Sequence, residues 1–355
     1  YLGVAVTCAG DEALIPFMSR GLSFEYELAR AIRSVTAGAQ RRVGVLDTAV
    51  QMFGEFDFQT YTPRPDWSII AELRKQYEVV QAAPGEPIDE TLDALIAPQP
   101  STLTDEQLMP LLDWIRAGRA TLLLEDTLPL FDPGLATAAP RNANQNPFMQ
   151  QQQPDEEPKP DLSELWSLLG TEVAAGRVAW DGYNPRPQLV ELPREFVFVG
   201  RGSGALDAFN DAEPITSGLQ EVVVLAGGPL VANAAPIGDA TMTPLLRGSP
   251  LSGYVAYNEV LQRDIFGSPR FNPIRRFQRT PESPILAARI EGDKSQPLNV
   301  VLVGDLDVVS EMFFQMREEG LEGFEFDNVT FVLNAVDALV GDESLVELRK
   351  RRPAQ

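Results

Sequence analysis

Histidine is absent from this 355-residue chain, and cysteine occurs once, at Cys8. These two absences exclude Ser-His-Asp triads, Cys-His dyads, His-ligated zinc and Cys-x-x-Cys redox pairs. They exclude class I glutamine amidotransferase chemistry too, which needs both a Cys and a His. Positive charge is scarce: 29 Lys and Arg against 51 Asp and Glu leave a net charge of −22. Such a chain repels phosphate backbones and anionic lipid headgroups, and no basic stripe interleaved with aromatics offsets this, which argues against a nucleic-acid partner. Long apolar runs are missing as well. No stretch approaches the roughly 20 residues that span a bilayer, and Tyr1-Leu2-Gly3-Val4 is not a signal peptide. What remains for an enzyme is carboxylate, Lys, Tyr or Ser chemistry, or acids around a hard cation.

What is present is an alternation of short apolar runs and amphipathic segments. Residues 1–18 read as a β-hairpin turning at Gly10-Asp11. A helix follows, capped by Ser23 and carrying Glu25, Tyr26, Leu28, Ala31 and Ile32 at helical spacing until near Gly38. Val43-Gly44-Val45-Leu46 is the continuous apolar run of a buried parallel strand. Asp66 stands as the cap of a helix through Ile69, Ile70 and Leu73, and Thr104 to Gln107 opens another through Leu108, Leu111, Leu112 and Ile115, ended by Gly118. Strands are expected at Val79-Val80, Leu92–Ala97, Ala120–Leu124 and Leu298–Val303, and a helix over Val329–Leu339.

The pattern predicts an α/β fold: a doubly wound, mostly parallel sheet of amidotransferase-like or flavodoxin-like type, with the N-terminal hairpin and a β-rich elaboration. Four segments follow from it. Residues 1–140 hold the hairpin and the first part of the α/β domain. Residues 141–161, with the Gln150–Gln153 run and Pro154, Pro158 and Pro160, have almost nothing to bury and are expected to form a disordered insertion. Residues 162–340 hold the rest of the domain, with short apolar runs punctuated by Pro and Gly between about 178 and 290. Residues 341–355 form a tail.

Ligands of open α/β sheets bind beyond the carboxyl ends of the strands, so Asp47, Glu125, Asp126, Asp305 and Asp307 are the acids to examine. Of these, Asp47, Asp305 and Asp307 are the candidate binding residues. Asp305 and Asp307, with Glu311 one helical turn on, offer oxygen ligands to a hard cation. Asp at a strand end is more often a cap or turn former, and that reading is preferred here. No metal, cofactor or catalytic residue is therefore assigned. Gly200-Arg201-Gly202-Ser203-Gly204 lacks the spacing and lysine of a phosphate loop and reads as a turn. Cys8 reads as a buried or idle thiol. Arg275, Arg276 and Arg279 form a basic knot, expected to pair with local carboxylates.

Several segments resemble, in their order, the GldG-like auxiliary proteins of ABC transporters, a family associated with gliding motility. They are Ser23-Phe24-Glu25-Tyr26-Glu27-Leu28-Ala29-Arg30-Ala31-Ile32, Val43-Gly44-Val45-Leu46, Glu213-Pro214-Ile215-Thr216-Ser217-Gly218-Leu219, Val303-Gly304-Asp305-Leu306-Asp307, Phe331–Leu339 and Gly341-Asp342-Glu343-Ser344-Leu345. The resemblance implies an amidotransferase-like ectodomain, related to the GIFT-type domain of intraflagellar transport, on the extracytoplasmic (periplasmic) face of the membrane. It implies membrane-spanning helices as tethers and an ABC permease and ATPase as partners. Glu213 departs from relatives that carry His before Pro-Ile-Thr. The family supplies no catalytic residue to carry over.

The expected function is a non-enzymatic binding or scaffolding domain. The alternative is an envelope glycan-binding or glycan-processing module using strand-end carboxylates, with envelope polysaccharide as its partner. The final segment, read as a helix over Leu345–Arg352, fits a lead-in to a membrane segment, although the preference for positive charge on the cytoplasmic side counts against an outside location for its basic cluster. The natural gene is expected to encode apolar spans of about 20 residues close to both ends of this sequence. Sequencing the full reading frame checks this, and a frame without such spans contradicts it.

Overall fold

Apolar runs of four or five residues bounded by polar or proline residues are too short for helices, and suit strands buried on both faces. In the computed structural model, which describes residues 3–15, 24–36, 40–54, 56–57, 61–139, 159–264, 267–320 and 323–349, these runs form the centre of a nine-stranded sheet. Its order is Glu78–Ala82, Arg42–Leu46, Ala94–Pro98, Thr121–Leu124, Asn299–Val303, Ile285–Glu291, Leu230–Ala232 and Thr171–Val173, with Thr241–Arg247 paired to Ile285–Glu291 off that path. The first five of these pair in parallel. Numbered along the chain they stand 2-1-3-4-5, the strand order of flavodoxin-like sheets.

The other four pair antiparallel, so the expected mostly parallel sheet forms in only one half. The reason lies in the connections. Parallel neighbours need a crossover of a dozen or more residues, and the 292–298 link between Ile285–Glu291 and Asn299–Val303 is too short for anything but a hairpin. Outside this sheet, the β-rich stretch adds the pair Phe196–Gly200 with Glu221–Leu225, and a three-stranded sheet of Arg177–Asp181, Ser252–Ala256 and Gln278–Arg279.

Alternate residues of the central strands serve two cores. Val43, Val45, Ile96, Leu122, Leu124, Val301 and Val303 pack with Ile69, Ile70 and Leu73 of the helix Ser68–Arg74 and with the helix Asn328–Leu339. Leu46, Leu95, Ala97, Leu123, Val300 and Leu302 pack with the helices Asp105–Arg116 and Ser163–Leu169. The Asp105–Arg116 helix starts with a capping box in which Thr104 and Gln107 each take the other's backbone N–H. The helix Asn328–Leu339 is buried along its entire length, against the strands Thr121–Leu124, Glu221–Leu225 and Asn299–Val303.

Three local expectations are corrected. The hairpin Val4–Cys8 with Asp11–Ile15 turns at Ala9 and Gly10, whose φ of 51° and 104° are the two left-handed positions of a tight hairpin turn, one residue earlier than Gly10-Asp11. Cys8 is exposed on it, which removes the buried reading of this thiol and leaves the idle one. Asp66 does not cap the following helix: Trp67 occupies the cap position, and the Asp66 carboxylate accepts the Gly54 N–H and pairs with Arg74. The Ser68 N–H is taken instead by Glu311, at 2.7 Å. Residues 141–158 of the expected insertion lie outside the described residues, as do Ser23 and the last six of the chain.

The helix Phe24–Thr36 meets the short helix Val346–Arg349 through Arg349, whose side chain is wholly buried. Its guanidinium donates to Asp337 Oδ2 at 2.8 Å, Asn334 Oδ1 at 2.7 Å and the Tyr26 hydroxyl oxygen at 3.2 Å. The Tyr77 hydroxyl donates to the other Asp337 oxygen. No helix among the described residues is long and apolar enough to cross a membrane. Removing one member of a buried ion pair strands the other charge, so Asp337→Ala is expected to cost about 3–5 kcal/mol in denaturant unfolding. Asp113→Ala, which breaks an exposed pair with Arg116, is expected to cost under about 1 kcal/mol.

Candidate functional site

Strands Thr121–Leu124 and Asn299–Val303 are parallel neighbours with Leu124 opposite Val303, so the residues after them leave the sheet side by side. Glu125-Asp126 follows the first strand, and Gly304-Asp305-Leu306-Asp307 the second. Glycine at 304 is required because the backbone of Gly228 lies against it: the Gly228 N–H donates to Gly304 O at 2.6 Å, and a Cβ on 304 would collide with the Gly228 carbonyl. The crossing pulls Asp126, Asp305 and Asp307 together, each with a carboxylate oxygen within 4.8 Å of the others. They are 0, 0 and 2% exposed.

Backbone amides converge on these carboxylates. Asp126 accepts from Leu128 at 2.8 Å and from Leu306 at 3.0 Å. Asp305 accepts from Leu225 at 2.8 Å and from Asp307 at 2.7 Å, and Asp307 accepts from Leu130 at 2.6 Å. Three chain segments are thereby tied at one point: the loop after 124, the loop after 303, and the end of strand Glu221–Leu225. Burial pushes Asp126 and Asp305 well above the usual carboxylate range, and mutual repulsion within the cluster adds to this. Burial raises Asp307 to about 6. The amide bonds oppose these shifts without cancelling them.

The neighbouring Glu125 serves a separate contact. It accepts from the Ser101 N–H at 3.1 Å and the Thr137 hydroxyl at 2.6 Å, and burial raises its pKa while those two partners oppose the rise. Lys159 donates to Ala136 O at 2.5 Å; burial lowers it to about 8 and the charge of Glu125 partly restores it.

Of the three binding candidates read from the sequence, Asp305 and Asp307 come together, and Asp47 does not join them. Asp47 follows strand Arg42–Leu46, which Ala94–Pro98 separates from Thr121–Leu124, so it lies two strand spacings, roughly 10 Å, from the Asp126 strand. Glu311, grouped with the aspartates as a cation ligand by spacing, turns away to Ser68. Asp126 is the third member. Its place at a strand end was visible in the sequence, whereas its adjacency to Asp305 depends on which strands neighbour each other. Chemically, the three acids offer one oxygen each to a hard cation or share protons among themselves. Five backbone amides already occupy their oxygens. That arrangement braces a fold, and it leaves no exposed carboxylate to act on a substrate.

The other sequence features resolve locally. Residues 201–204 form a turn, with Arg201 paired to Asp211. Arg275 pairs with the fully buried Glu195, and Arg276 with Glu259.

Residues 40–335 match the model of the family described as "ABC-type uncharacterized transport system". The chain belongs to this ABC transporter auxiliary family. Membership covers the sheet, both helical layers and the aspartate cluster, and makes this a transport-associated protein. No curated protein matches the sequence significantly. Among solved structures, the mmIFT52 N-terminal domain is similar at TM-score 0.45 and 10% identity, covering 84% of this chain and 97% of its own. A ThuA-like protein from Bacteroides uniformis is similar at TM-score 0.39 and 14% identity, covering 85% and 93%. The exo-beta-1,4-mannosidase Op5Man5 from an Opitutaceae bacterium is similar at TM-score 0.30 and 11% identity, covering 85% of this chain and 37% of its own. Likenesses at these scores assign neither activity nor ligand.

A raised carboxyl pKa means that the folded family member binds protons more tightly than its unfolded chain. The cluster's contribution to stability is therefore largest below about pH 4 and declines as pH rises through about 6, where Asp307 ionises. Asp307→Asn keeps an acceptor for the Leu130 N–H and removes that charge. It is expected to stabilise the protein by about 1–3 kcal/mol at pH 8 and by little at pH 4.5, read from denaturant unfolding at both pH values. Equal destabilisation at both would show that the negative charge is needed.

Proposed function

We propose that this chain is the extracytoplasmic, non-enzymatic scaffolding domain of a membrane-anchored, GldG-like auxiliary protein, working with an ABC permease and ATPase. The observation that carries this reading is the family match over residues 40–335, which takes in almost the whole α/β body. The order of the motifs from Ser23 to Leu345 supports the GldG-like subgroup, and the GIFT-type and gliding-motility associations come with that resemblance.

Composition and geometry support a role without catalysis. A chain with no His and one Cys has no nucleophile–base pair of the usual kinds. Four of its five strand-end acids are sealed: Asp126, Asp305, Asp307 and Glu125 are at most 2% exposed and are engaged by backbone amides or side-chain donors, while Asp47 is half-buried and stands apart from them. A glycan-processing reading needs two carboxylates facing a sugar across a cleft. Buried acids cannot reach a glycosidic oxygen, so this cluster gives that alternative no support.

The periplasmic location rests on the same resemblance, and the acidic surface suits a domain that recruits protein partners and avoids anionic polymers. Affinity purification of the full-length protein from native membranes in mild detergent, followed by mass spectrometry, is expected to recover an ABC permease and ATPase. Recovery of the protein alone, with enrichment on envelope polysaccharide, would defeat this reading. Protease accessibility in spheroplasts is expected to cut this domain from outside; protection there would overturn the location.

A further inference from the structure

At the amino end of the parallel strands, opposite the aspartate cluster, a cleft of about 230 Å³ lies among the end of helix Phe24–Thr36, residues 40–41, Gln76 and residues 342–345. Its lining reverses the charge of the protein as a whole. Arg30, Arg33 and Arg41 line it with one carboxylate, Asp342, in a chain whose net charge is −22, while Glu27 and Asp93, outside the lining, pair with Arg30 and Arg41. The three arginines come from two separate segments, and each is held by a partner on one flank. Arg30 donates to Glu27 and to Lys75 O, Arg33 to Ser344 and Asp342, and Arg41 to Asp93.

Two buried donors in this lining have no acceptor. Arg30 is 8% exposed, and its Nε–H has no partner although both terminal nitrogens are engaged. The Gln76 Nε2 amide, also buried, has none either. Two buried donors without a partner line one cleft, while the unpartnered buried acceptors near Arg30, Glu27 Oε1 and Glu72 Oε1, are not among the residues that line it. A planar guanidinium with free N–H groups is suited to a tetrahedral oxyanion, which accepts several hydrogen bonds at once.

We propose that this cleft is an oxyanion site for a phosphate group, with Arg30 and Gln76 as buried donors and Arg33 and Arg41 supplying charge at its rim. A phosphodiester lipid headgroup and a soluble phosphate share this chemistry. The site is independent of the transporter assignment, since it rests on the arginines and the unpaired donors alone.

The test uses this chain in a phosphate-free buffer at constant ionic strength. Inorganic phosphate and glycerol phosphate are titrated by calorimetry and thermal shift, with chloride as control. Saturable binding is expected, weakened at least tenfold by Arg41→Ala, whose side chain is half exposed and whose loss leaves the fold intact. Gln76→Glu puts a carboxylate into the lining that Arg30, Arg33 and Arg41 share; it is expected to abolish phosphate binding while leaving the protein folded by circular dichroism. Flotation with phosphatidylglycerol against phosphatidylcholine vesicles then separates the sources. Flotation lost in both variants assigns a lipid headgroup, and phosphate binding without flotation assigns a soluble anion. Stabilisation by chloride equal to that by phosphate, or binding unchanged in both variants, overturns the proposal.

Discussion

Backbone amides closing on buried carboxylates are the interaction on which the rest of this fold depends. Strands that end side by side bring their following loops into one small volume, and loops carry N–H groups that no ladder satisfies. Here Asp126, Asp305 and Asp307 take five of those donors, from Leu128, Leu130, Leu225, Leu306 and Asp307 itself. The cost is like charge in a dry place, offset by holding protons that a solvated carboxyl would release. The close passage of Gly228 beside Gly304 makes this geometry available, because a side chain at 304 would hold the two loops apart.

The opposite end of the molecule is organised by cations. Arg349 closes the body of the domain by engaging Asp337, Asn334 and Tyr26, which belong to one helix next to it in sequence and another more than three hundred residues away. Arg30 and Arg33 continue this seam along the same N-terminal helix. The helix Asn328–Leu339 links the two ends: Asn328 bonds the backbone of Val223, in the strand whose last residue is held by Asp305, and Asn334 and Asp337 bond Arg349. One rigid, wholly buried helix therefore spans from the carboxylate brace to the contact between the N- and C-terminal helices.

Much of the parallel half was legible in the sequence. Val43–Leu46, Leu92–Ala97, Ala120–Leu124 and Leu298–Val303 are runs whose length and apolarity admit few alternatives, and Thr104 with Gln107 is a capping box recognisable by its spacing. The antiparallel half was harder. Periodicity identifies a strand without naming its neighbour, so nothing in Ile285–Glu291 announces that it pairs with both Asn299–Val303 and Thr241–Arg247. Position alone marks Asp66 as a cap, yet the free Ser68 N–H finds Glu311, 243 residues on. The same limit governs the site. Asp305 and Asp307 were evident as strand-end acids, but their meeting with Asp126 is tertiary, as is the distance that keeps Asp47 apart.

The strand-end aspartates, buried and bonded by backbone amides, are expected to act as a proton-sharing structural brace. Its most direct test is carbon-13 NMR of the carboxyl carbons in protein labelled selectively at aspartate, titrated from pH 4 to 9 with and without millimolar calcium or magnesium. Asp126, Asp305 and Asp307 are expected to titrate above the ordinary aspartate range and to ignore both cations. Three carboxyls ionised throughout that range, with resonances that move on adding a divalent ion, would contradict it.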